Sequence, residues 1–554
     1  MTVNINLRKW QAECLSKALD WLKAGGDKHF LINAAPGSGK TICASVISRK
    51  LFEDGLIDRV VVIAPRKSVV EQWATDFQTV TGRPMSKITA ADEDAEGYGV
   101  DLAATWSAVQ GLLDVFQSVC ADNRTLVICD EHHHAAVEAA WGRGANGAFS
   151  AAKYVVVLTG TPIRSDGKES VWFAYDDLGC IDHPEAGTYT LSYGEAVDSE
   201  FCRPITFHRH EGKFTVKLDN GEFIAVSGVD ETKMEPRLKR IPGLQRALDY
   251  YKLACTPKLL ADGRPDTSSY QATMLEWGVE KLNDIRDRMP EAGGLVIAPN
   301  IPVAEYMADL LEQIDGERPL IVHSQSGNPE GKIRSFRKSN KRWMVSVAMV
   351  SEGVDIPRLR VLVYLPNAQT ELAFRQAMGR VVRNHGPNDD TRAYVVMPTH
   401  KIFEEYARRV EREMSPAKLR EEPSMTKVCP DCGAENPREA KQCAVCDTEF
   451  PARKPRLKVC SGCDALNPPA ASECQNCGEP FTQDFSITLD EALRVGAIIR
   501  GMELEEGEVQ ESEAIIDDVR EAVLKSGDEV LIKILRIMPE ESTAKFKKIF
   551  QNLK

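Results

Sequence analysis

Along the first third of the chain, short apolar runs alternate with longer stretches of mixed polarity. "FLINA" from Phe30, "VVVIAP" from Val60, "LVICDE" from Leu126 and "YVVVLTG" from Tyr154 are continuous in hydrophobicity. A strand with water on one face alternates; a strand covered on both faces does not, so these runs predict a parallel sheet with helices on both sides. The rhythm returns in "GLVIAPN" from Gly294, "PLIVHS" from Pro319, "WMVSVAMV" from Trp343, "VLVYLP" from Val361 and "AYVVMP" from Ala393. A second α/β lobe of the same doubly wound class is expected there. Between roughly 165 and 290 the pattern is irregular. "TFHRHEGKFTVKLDNGEFIAV" alternates around Asp219-Asn220-Gly221, a hairpin signal, and the stretch after Met234 reads as helical. Past Phe481, Thr488 and Glu491 have capping-box spacing ahead of "EALRVGAIIRGM", which predicts a helix start. The expected organisation is a first lobe over 1–164, an insertion or interlobe arm over 165–290, a second lobe over 291–424, a cysteine-rich region over 425–482 and a helical tail over 483–554.

Length agrees with several domains, since 554 residues exceed what one core organises. With 43% hydrophobic and 27% charged residues, and no apolar run near the ~18 residues of a membrane span, a water-soluble globular protein is expected. The opening "MTVNINLRKWQAECL" lacks a basic segment followed by an apolar core and a cleavage site, so an intracellular, cytoplasmic location is the expectation. The net charge of -13 excludes a uniformly basic coat for nucleic acid but leaves room for a local basic track. The acidic run "MELEEGEVQESEAIIDD" from Met502 fits a solvated helix face or linker, or else a partner-binding or autoinhibitory patch.

The sharpest chemistry lies at the ends of two strands. "NAAPGSGKT", Asn33 to Thr41, sits between an apolar strand and a helix-like segment. A turn built from Pro36, Gly37, Ser38 and Gly39 lets backbone N–H groups wrap nucleotide phosphates at a helix N-terminus, with Lys40 neutralising them and the Thr41 hydroxyl on magnesium. The usual Gly-x4-Gly-Lys-Thr pattern opens on glycine, where this chain has Ala34. "LVICDEHHH" then ends a strand with two carboxylates, at the sheet edge where α/β proteins bind ligands. Asp130 is placed to meet the magnesium and Glu131 to orient or deprotonate the attacking water. His132 to His134 could suggest a metal cluster, but adjacent residues of an extended segment face opposite ways and the i,i+4 helical pair is missing. The preferred reading is that one of them, His133, touches the nucleotide or relays its state.

The order of motifs resembles that of the superfamily-two helicases and translocases over roughly residues 5 to 400. "LRKWQAECL" from Leu7 is similar to the family's adenine-side segment, with Gln11 reading the base. "VVVIAPRKSVVEQW", with Arg66, and "LAATWSAVQGL", around Thr105, resemble its nucleic-acid backbone contacts. "LTGTPIR" resembles the coupling motif, with Thr159 and Thr161. "VSEGVDIP", with Gly353 and Asp355, resembles the segment that senses nucleotide and strand. "QAMGRVVR" carries the spacing of Gln376, Arg380 and Arg383. The resemblance implies two RecA-like lobes, ATP and magnesium in the cleft between them, and nucleic acid as partner. The two arginines also make sense without it: transition-state charge needs a cation delivered across a cleft, and i,i+3 helical spacing puts both on one face. "DEHH", "TGT" and "QAMGR" are closer to the DNA-directed restriction, repair and RadD-like branch than to the Asp-Glu-Ala-Asp RNA enzymes, so DNA is favoured over RNA. An RNA helicase and a nucleotide-controlled clamp or adaptor without processive unwinding are the alternatives. No nuclease constellation accompanies the motor.

Eight of the fifteen cysteines lie between Cys429 and Cys477. Cys429, Cys432, Cys443 and Cys446 recur 31 residues later as Cys460, Cys463, Cys474 and Cys477, with Asn436/Asn467 and Phe450/Phe481 repeating alongside. Each copy offers two C-x2-C knuckles for one tetrahedral S4 site, so two structural zinc ions are expected, ahead of disulfides or an iron–sulfur centre. With few apolar residues per copy, metal must supply much of the folding energy. "PARKPRLK" between the copies could ride on phosphates, dock a protein or serve as linker. The ribbons and the tail are the candidate protein-partner surfaces.

Overall fold

The structure is a computed structural model. It describes residues 6–89, 99–131, 147–160, 172–175, 181–218, 221, 223–228, 248–323, 325–347, 356–384, 389, 391–419, 426–438, 440–450, 458–460, 463, 465–467, 473–478, 484–488, 506–538 and 542–551. The first lobe is a seven-stranded sheet built from β1 (His29–Ala34), β2 (Arg59–Ala64), β3 (Met85–Ile88), β4 (Asp101–Thr105), β5 (Thr125–Asp130), β6 (Tyr154–Thr159) and β9 (Thr188–Leu191), in the order β3-β4-β2-β5-β6-β1-β9. Every pairing in it is parallel. Successive side chains of β2 go to opposite faces, as the pleat requires. Val60 and Val62 join Trp10, Ile47 and Trp73 beneath the helices α1 (Lys9–Ala24), α2 (Lys40–Glu53) and α3 (Lys67–Thr81). Val61 and Ile63 join Trp106 and Phe116 beneath α4 (Trp106–Gly111) and α5 (Leu113–Asp122). A two-residue antiparallel pair, β7 (Ala174–Tyr175) and β8 (Ile181–Asp182), precedes β9.

The second lobe is a six-stranded, all-parallel sheet of β10 (Ile205–His210), β13 (Gly293–Ala298), β14 (Leu320–Val322), β15 (Trp343–Val347), β16 (Leu359–Tyr364) and β17 (Ala393–Pro398), ordered β10-β17-β16-β13-β15-β14. It is flanked by α6 (Tyr270–Arg286), α7 (Ile301–Asp315), α8 (Pro329–Lys338), α9 (Glu371–Val381) and α10 (Lys401–Glu413). α6, α7 and α9 start on side-chain caps from Ser269, Asn300 and Thr370, each accepting from the backbone N–H three residues on.

The sheets divide the middle of the chain differently from the expected insertion over 165–290. β9 extends the first sheet beside β1, β10 opens the second sheet beside β17, and α6 packs on β16. The change of lobe therefore falls between Leu191 and Ile205. Edge strands have one neighbour and an open side, so β9 ("TYTL") and β10 ("ITFHRH") tolerate polar positions and lack the continuous apolar run of a central strand. The expected hairpin does form, as β11 (Lys213–Lys217) paired antiparallel with β12 (Phe223–Ser227). It belongs to a three-stranded sheet completed by β22 (Asp484–Thr488), which runs parallel to β11. Thr488 thus ends a strand, and Glu491 lies outside the described residues.

The cysteine modules carry the antiparallel pairs β18 (Thr426–Val428) with β19 (Glu435–Pro437) and β20 (Lys458–Val459) with β21 (Leu466–Asn467). The first module is fastened to the second lobe, where Arg438 pairs with Asp284 at 2.9 Å and the Val428 amide donates to the Asp287 carbonyl. The tail is helical: α11 (Glu506–Ser526), α12 (Glu529–Ile537) and α13 (Thr543–Gln551). Ile515 and Ala544 bury against the α4 side of the first lobe, and α12 touches α7 of the second. Among the described residues no helix is long and apolar enough to cross a membrane.

Candidate active site

In a parallel sheet all strand carboxyl ends share one edge, and there the first lobe gathers its polar residues. β1 ends at Ala34 and α2 begins at Lys40, so only five residues make the turn. Two of them are left-handed, Gly37 with φ 78° and Gly39 with φ 97°, conformations that glycine adopts without cost from a Cβ. Gly39 caps α2 without any side-chain acceptor, so the first-turn amides of α2 remain available as an anion cradle. Gln11 braces this loop, with its Nε2 donating to the Gly39 carbonyl at 3.1 Å and its Oε1 accepting from the Arg8 amide at 2.9 Å. Arg8 Nη1 adds a bond to the Ser38 carbonyl at 2.8 Å.

Lys40 Nζ donates to the Ala34 carbonyl at 2.8 Å and lies against Gly160, where a Cβ would come within 3.1 Å of it. Burial lowers its pKa, with the Glu131 and then the Asp130 carboxylates opposing that shift. The lysine and both acids therefore share one electrostatic neighbourhood. Thr41 follows Lys40 in the first turn of α2, and buried Thr159 pairs in register with Asn33 on the neighbouring strand. Asp130 ends β5, its Oδ2 accepting from the Trp73 indole at 2.7 Å. Glu131 has φ 51°, a left-handed conformation that costs an L-residue about 1–2 kcal/mol. Residues held in such a conformation cluster at functional sites.

The second lobe meets this loop through α9. A Cβ on Gly37 would stand 2.9 Å from Cγ of Arg383, and one on Gly379 would stand 2.9 Å and 3.0 Å from Cβ and Cγ of Pro36. The stem of Arg383 thus lies along the glycine loop, and its charge acts on Lys40. Gln376 and Arg380 are buried within α9. α9 ends at Val381, so Arg380 lies within the helix and Arg383 beyond its end, where it pairs antiparallel with Cys202 as an isolated bridge. Beside the loop, Ala35, Pro36, Gly160, Arg375, Met378 and Gly379 line a cavity of about 210 Å³.

In each cysteine module the four Sγ atoms lie within 4.8 Å of one another. Cys429 and Cys446 stand at 3.5 Å, Cys432 and Cys443 at 3.6 Å, and the second copy repeats this with Cys460 to Cys477 and Cys463 to Cys474 at 3.5 Å each. A tetrahedron with Zn–S arms of about 2.3 Å has edges of about 3.8 Å, so the sets fit zinc and are too wide for disulfides. The repeated asparagines explain themselves here. Asn436 donates to the Ala434 carbonyl and the Cys443 sulfur and accepts from the Ala444 amide, and Asn467 makes the same three bonds to Ala465, Cys474 and Gln475. These partners orient the ligands from outside.

Residues 4–164 match the family described as "Type III restriction enzyme, res subunit", residues 279–385 the "Helicase conserved C-terminal domain", and residues 429–478 the "Double zinc ribbon". The chain thus carries a restriction-enzyme res-subunit domain, a helicase C-terminal domain and a double zinc ribbon, in that order. It is 31% identical over 392 residues to an uncharacterized protein of Mycobacterium leprae, covering 70% of this chain and 61% of that protein. It is 24% identical to the "DNA 3'-5' translocase XPB2" of Sulfurisphaera tokodaii, covering 68% of this chain and 79% of that one. A fragment of a putative HsdR subunit of a type I restriction enzyme from Vibrio vulnificus aligns with a TM-score of 0.48 at 19% identity, over 72% of this chain and 65% of that one. The chain spans about three fifths of the length of the mycobacterial relative.

Within the helicase domains the two expected nucleic-acid contacts stand at the same sheet edge but are buried. Arg66, 8% exposed, is the N-cap of α3, and Thr105, 3% exposed, caps α4 by accepting from the Ala108 amide. The acidic tail helix α11 packs on α4 nearby, and Glu521 feels the Lys67 charge. His132 to His134, Thr161, Gly353 and Asp355 lie outside the described residues. Sequence reasoning missed Trp73, Arg8, Cys202 and Arg203 as neighbours of the site. Trp73 closes the quoted "VVVIAPRKSVVEQW" and was within reach; Cys202 and Arg203 stand in no motif.

Proposed function

We propose that this chain is an ATP-dependent translocase or helicase that acts on DNA. The observation that carries the reading is the stem of Arg383 laid along Gly37 of the glycine loop, which puts a second-lobe cation beside Lys40 and the acids of the first lobe. In this reading the loop from Pro36 to Gly39 and the first-turn amides of α2 bind the phosphates, with Gln11 and Arg8 holding the loop in shape. Thr41 and Asp130 would hold magnesium, which supplies charge neutralisation to the phosphates when bound. Trp73 fixes one Asp130 oxygen and so sets the direction of the other. Glu131, directly after the end of β5, accepts the proton of the attacking water. Arg380 and Arg383 offset charge that builds on the transferred phosphoryl group, and because they arrive from the other lobe the chemistry depends on closure. Thr159, paired beside the loop strand, is suited to pass that closure to the sheet edge where Arg66 and Thr105 shape the path of a nucleic-acid backbone.

DNA is preferred over RNA because the motifs follow the DNA-directed branch and because similar proteins include one named as a DNA translocase. Contacts to phosphates carry little sequence information, so binding should be nearly sequence-blind. The test is ATP hydrolysis by the full chain with duplex DNA, single-stranded DNA and RNA, alongside triplex or strand displacement. Stimulation and displacement by DNA support the motor. Preference for RNA replaces the substrate, and nucleotide-dependent binding without displacement replaces the motor with a clamp.

A further inference from the structure

Arg203 lies in the segment that leads from the first sheet to the second, outside every motif. The residue is 2% exposed; both Nη atoms of its guanidinium are engaged, while the buried Nε has no hydrogen-bond partner among the described residues. Nη1 donates to the carbonyls of Val381 at 2.6 Å and Leu359 at 3.0 Å, and Nη2 pairs with Asp389. Val381 is the last residue of α9, and a helix end leaves carbonyls that nothing within the helix can satisfy. A cation there also suits the helix dipole.

The rest of the segment holds the same place. The Arg203 amide donates to the Val382 carbonyl at 2.8 Å, Cys202 pairs with Arg383, and Asn384 Nδ2 donates to the Glu200 carbonyl at 2.7 Å. On its other side Cys202 Sγ donates to the Pro36 carbonyl at 3.2 Å. Residues 200–203 therefore touch both the glycine loop and the arginine that crosses to it. Arg360 makes the comparison informative. It also meets Asp389, at 2.7 Å, and the carbonyls of Pro357 and Leu359. What Arg203 does that Arg360 does not is hold the end of α9.

We propose that Arg203 is a positioning residue that fixes the end of α9, and with it Arg383, against the glycine loop. The inference rests on the ATPase reading above. Asp389 keeps Arg360 when the Arg203 guanidinium is removed, so Arg203→Met should spare the buried Arg360–Asp389 pair and lose the grip on Val381.

The experiment uses the full chain with saturating DNA. For Arg203→Met, kcat is expected to fall ten- to a hundredfold, as about an ångström of misplacement can cost ~100-fold, while KM for ATP stays within about twofold. Arg203→Lys should recover part of the loss, because an ammonium can reach one carbonyl. An unchanged kcat in Arg203→Met, or a loss confined to KM, overturns the inference while leaving the ATPase intact. Absence of hydrolysis in the wild-type chain overturns the ATPase reading itself, and the inference with it. Should Arg203→Met fail to fold, Asn384→Ala decides: removing that single partly exposed bond should lower kcat by about threefold at constant KM, and an unaltered kcat overturns the proposal.

Discussion

Gly379→Ala separates stability from activity. Position 379 lies inside α9, where alanine favours the helix over glycine by about 0.8–1 kcal/mol. By local propensity alone the substitution should stabilise the second lobe. Its Cβ, however, would stand 2.9 Å and 3.0 Å from two carbons of the Pro36 ring, and a proline ring in a tight loop cannot swing aside as a long side chain does. Carbon atoms prefer about 3.5–4.0 Å, so α9 must retreat from the loop by roughly half an ångström or more. That retreat carries Arg383 away from Gly37. If about an ångström costs ~100-fold, half of that costs about tenfold in kcat. The assay pairs steady-state hydrolysis at saturating ATP and DNA with a thermal melt of the same sample. The expected result is a melting temperature equal to or above that of the wild type, with kcat reduced about tenfold and nucleotide affinity retained. Undiminished kcat would refute the reasoning, because the lobes would then have no need of the contact that glycine permits.

Trp73→Phe removes the indole donor from Asp130 while keeping most of the buried volume, and should raise the magnesium concentration needed for half-maximal hydrolysis by about tenfold, a charge-assisted hydrogen bond being worth about 1.5–3 kcal/mol; unchanged magnesium dependence would count against it. The zinc ribbons should hold two zinc ions per chain by elemental analysis and one in Cys443→Ser, with chelation exposing residues 426–450 to protease; two ions in that variant would contradict the ligand set. Burial alone would raise the Asp389 carboxyl, but the Arg203 and Arg360 charges hold it down to about 2. A depressed acid stabilises above its unfolded value and loses that contribution as pH falls from about 4 to about 2, here about 2 kcal/mol. Asp389→Asn should therefore be less stable at pH 7 and show a shallower loss of stability over that acid range; identical slopes would exclude the ion pair as the cause.

What the sequence made legible was what local physics dictates. Central strands such as β5 and β6 are buried along their whole length and read as unbroken apolar runs. The glycine loop was legible because left-handed turns select glycine, and the ribbons because four thiolates at fixed spacing have few other uses. Edge strands escaped, since β9 and β10 need no apolar continuity, and with them the change of lobe between Leu191 and Ile205. Arg203 left no trace because an arginine that grips main-chain carbonyls is chosen by where the chain passes, not by a pattern along it. The glycine of "QAMGR" was visible as a letter and became a reason only once Pro36 was found against it.

The central claim is that residues of both lobes act on a single triphosphate. Its most direct measurement is MgATP hydrolysis together with nucleotide affinity in the wild type, Lys40→Ala and Arg383→Ala. The account predicts DNA-stimulated turnover in the wild type, loss of both binding and turnover in Lys40→Ala, and in Arg383→Ala a bound nucleotide that is hydrolysed about a thousandfold more slowly. Full turnover in Arg383→Ala would contradict it.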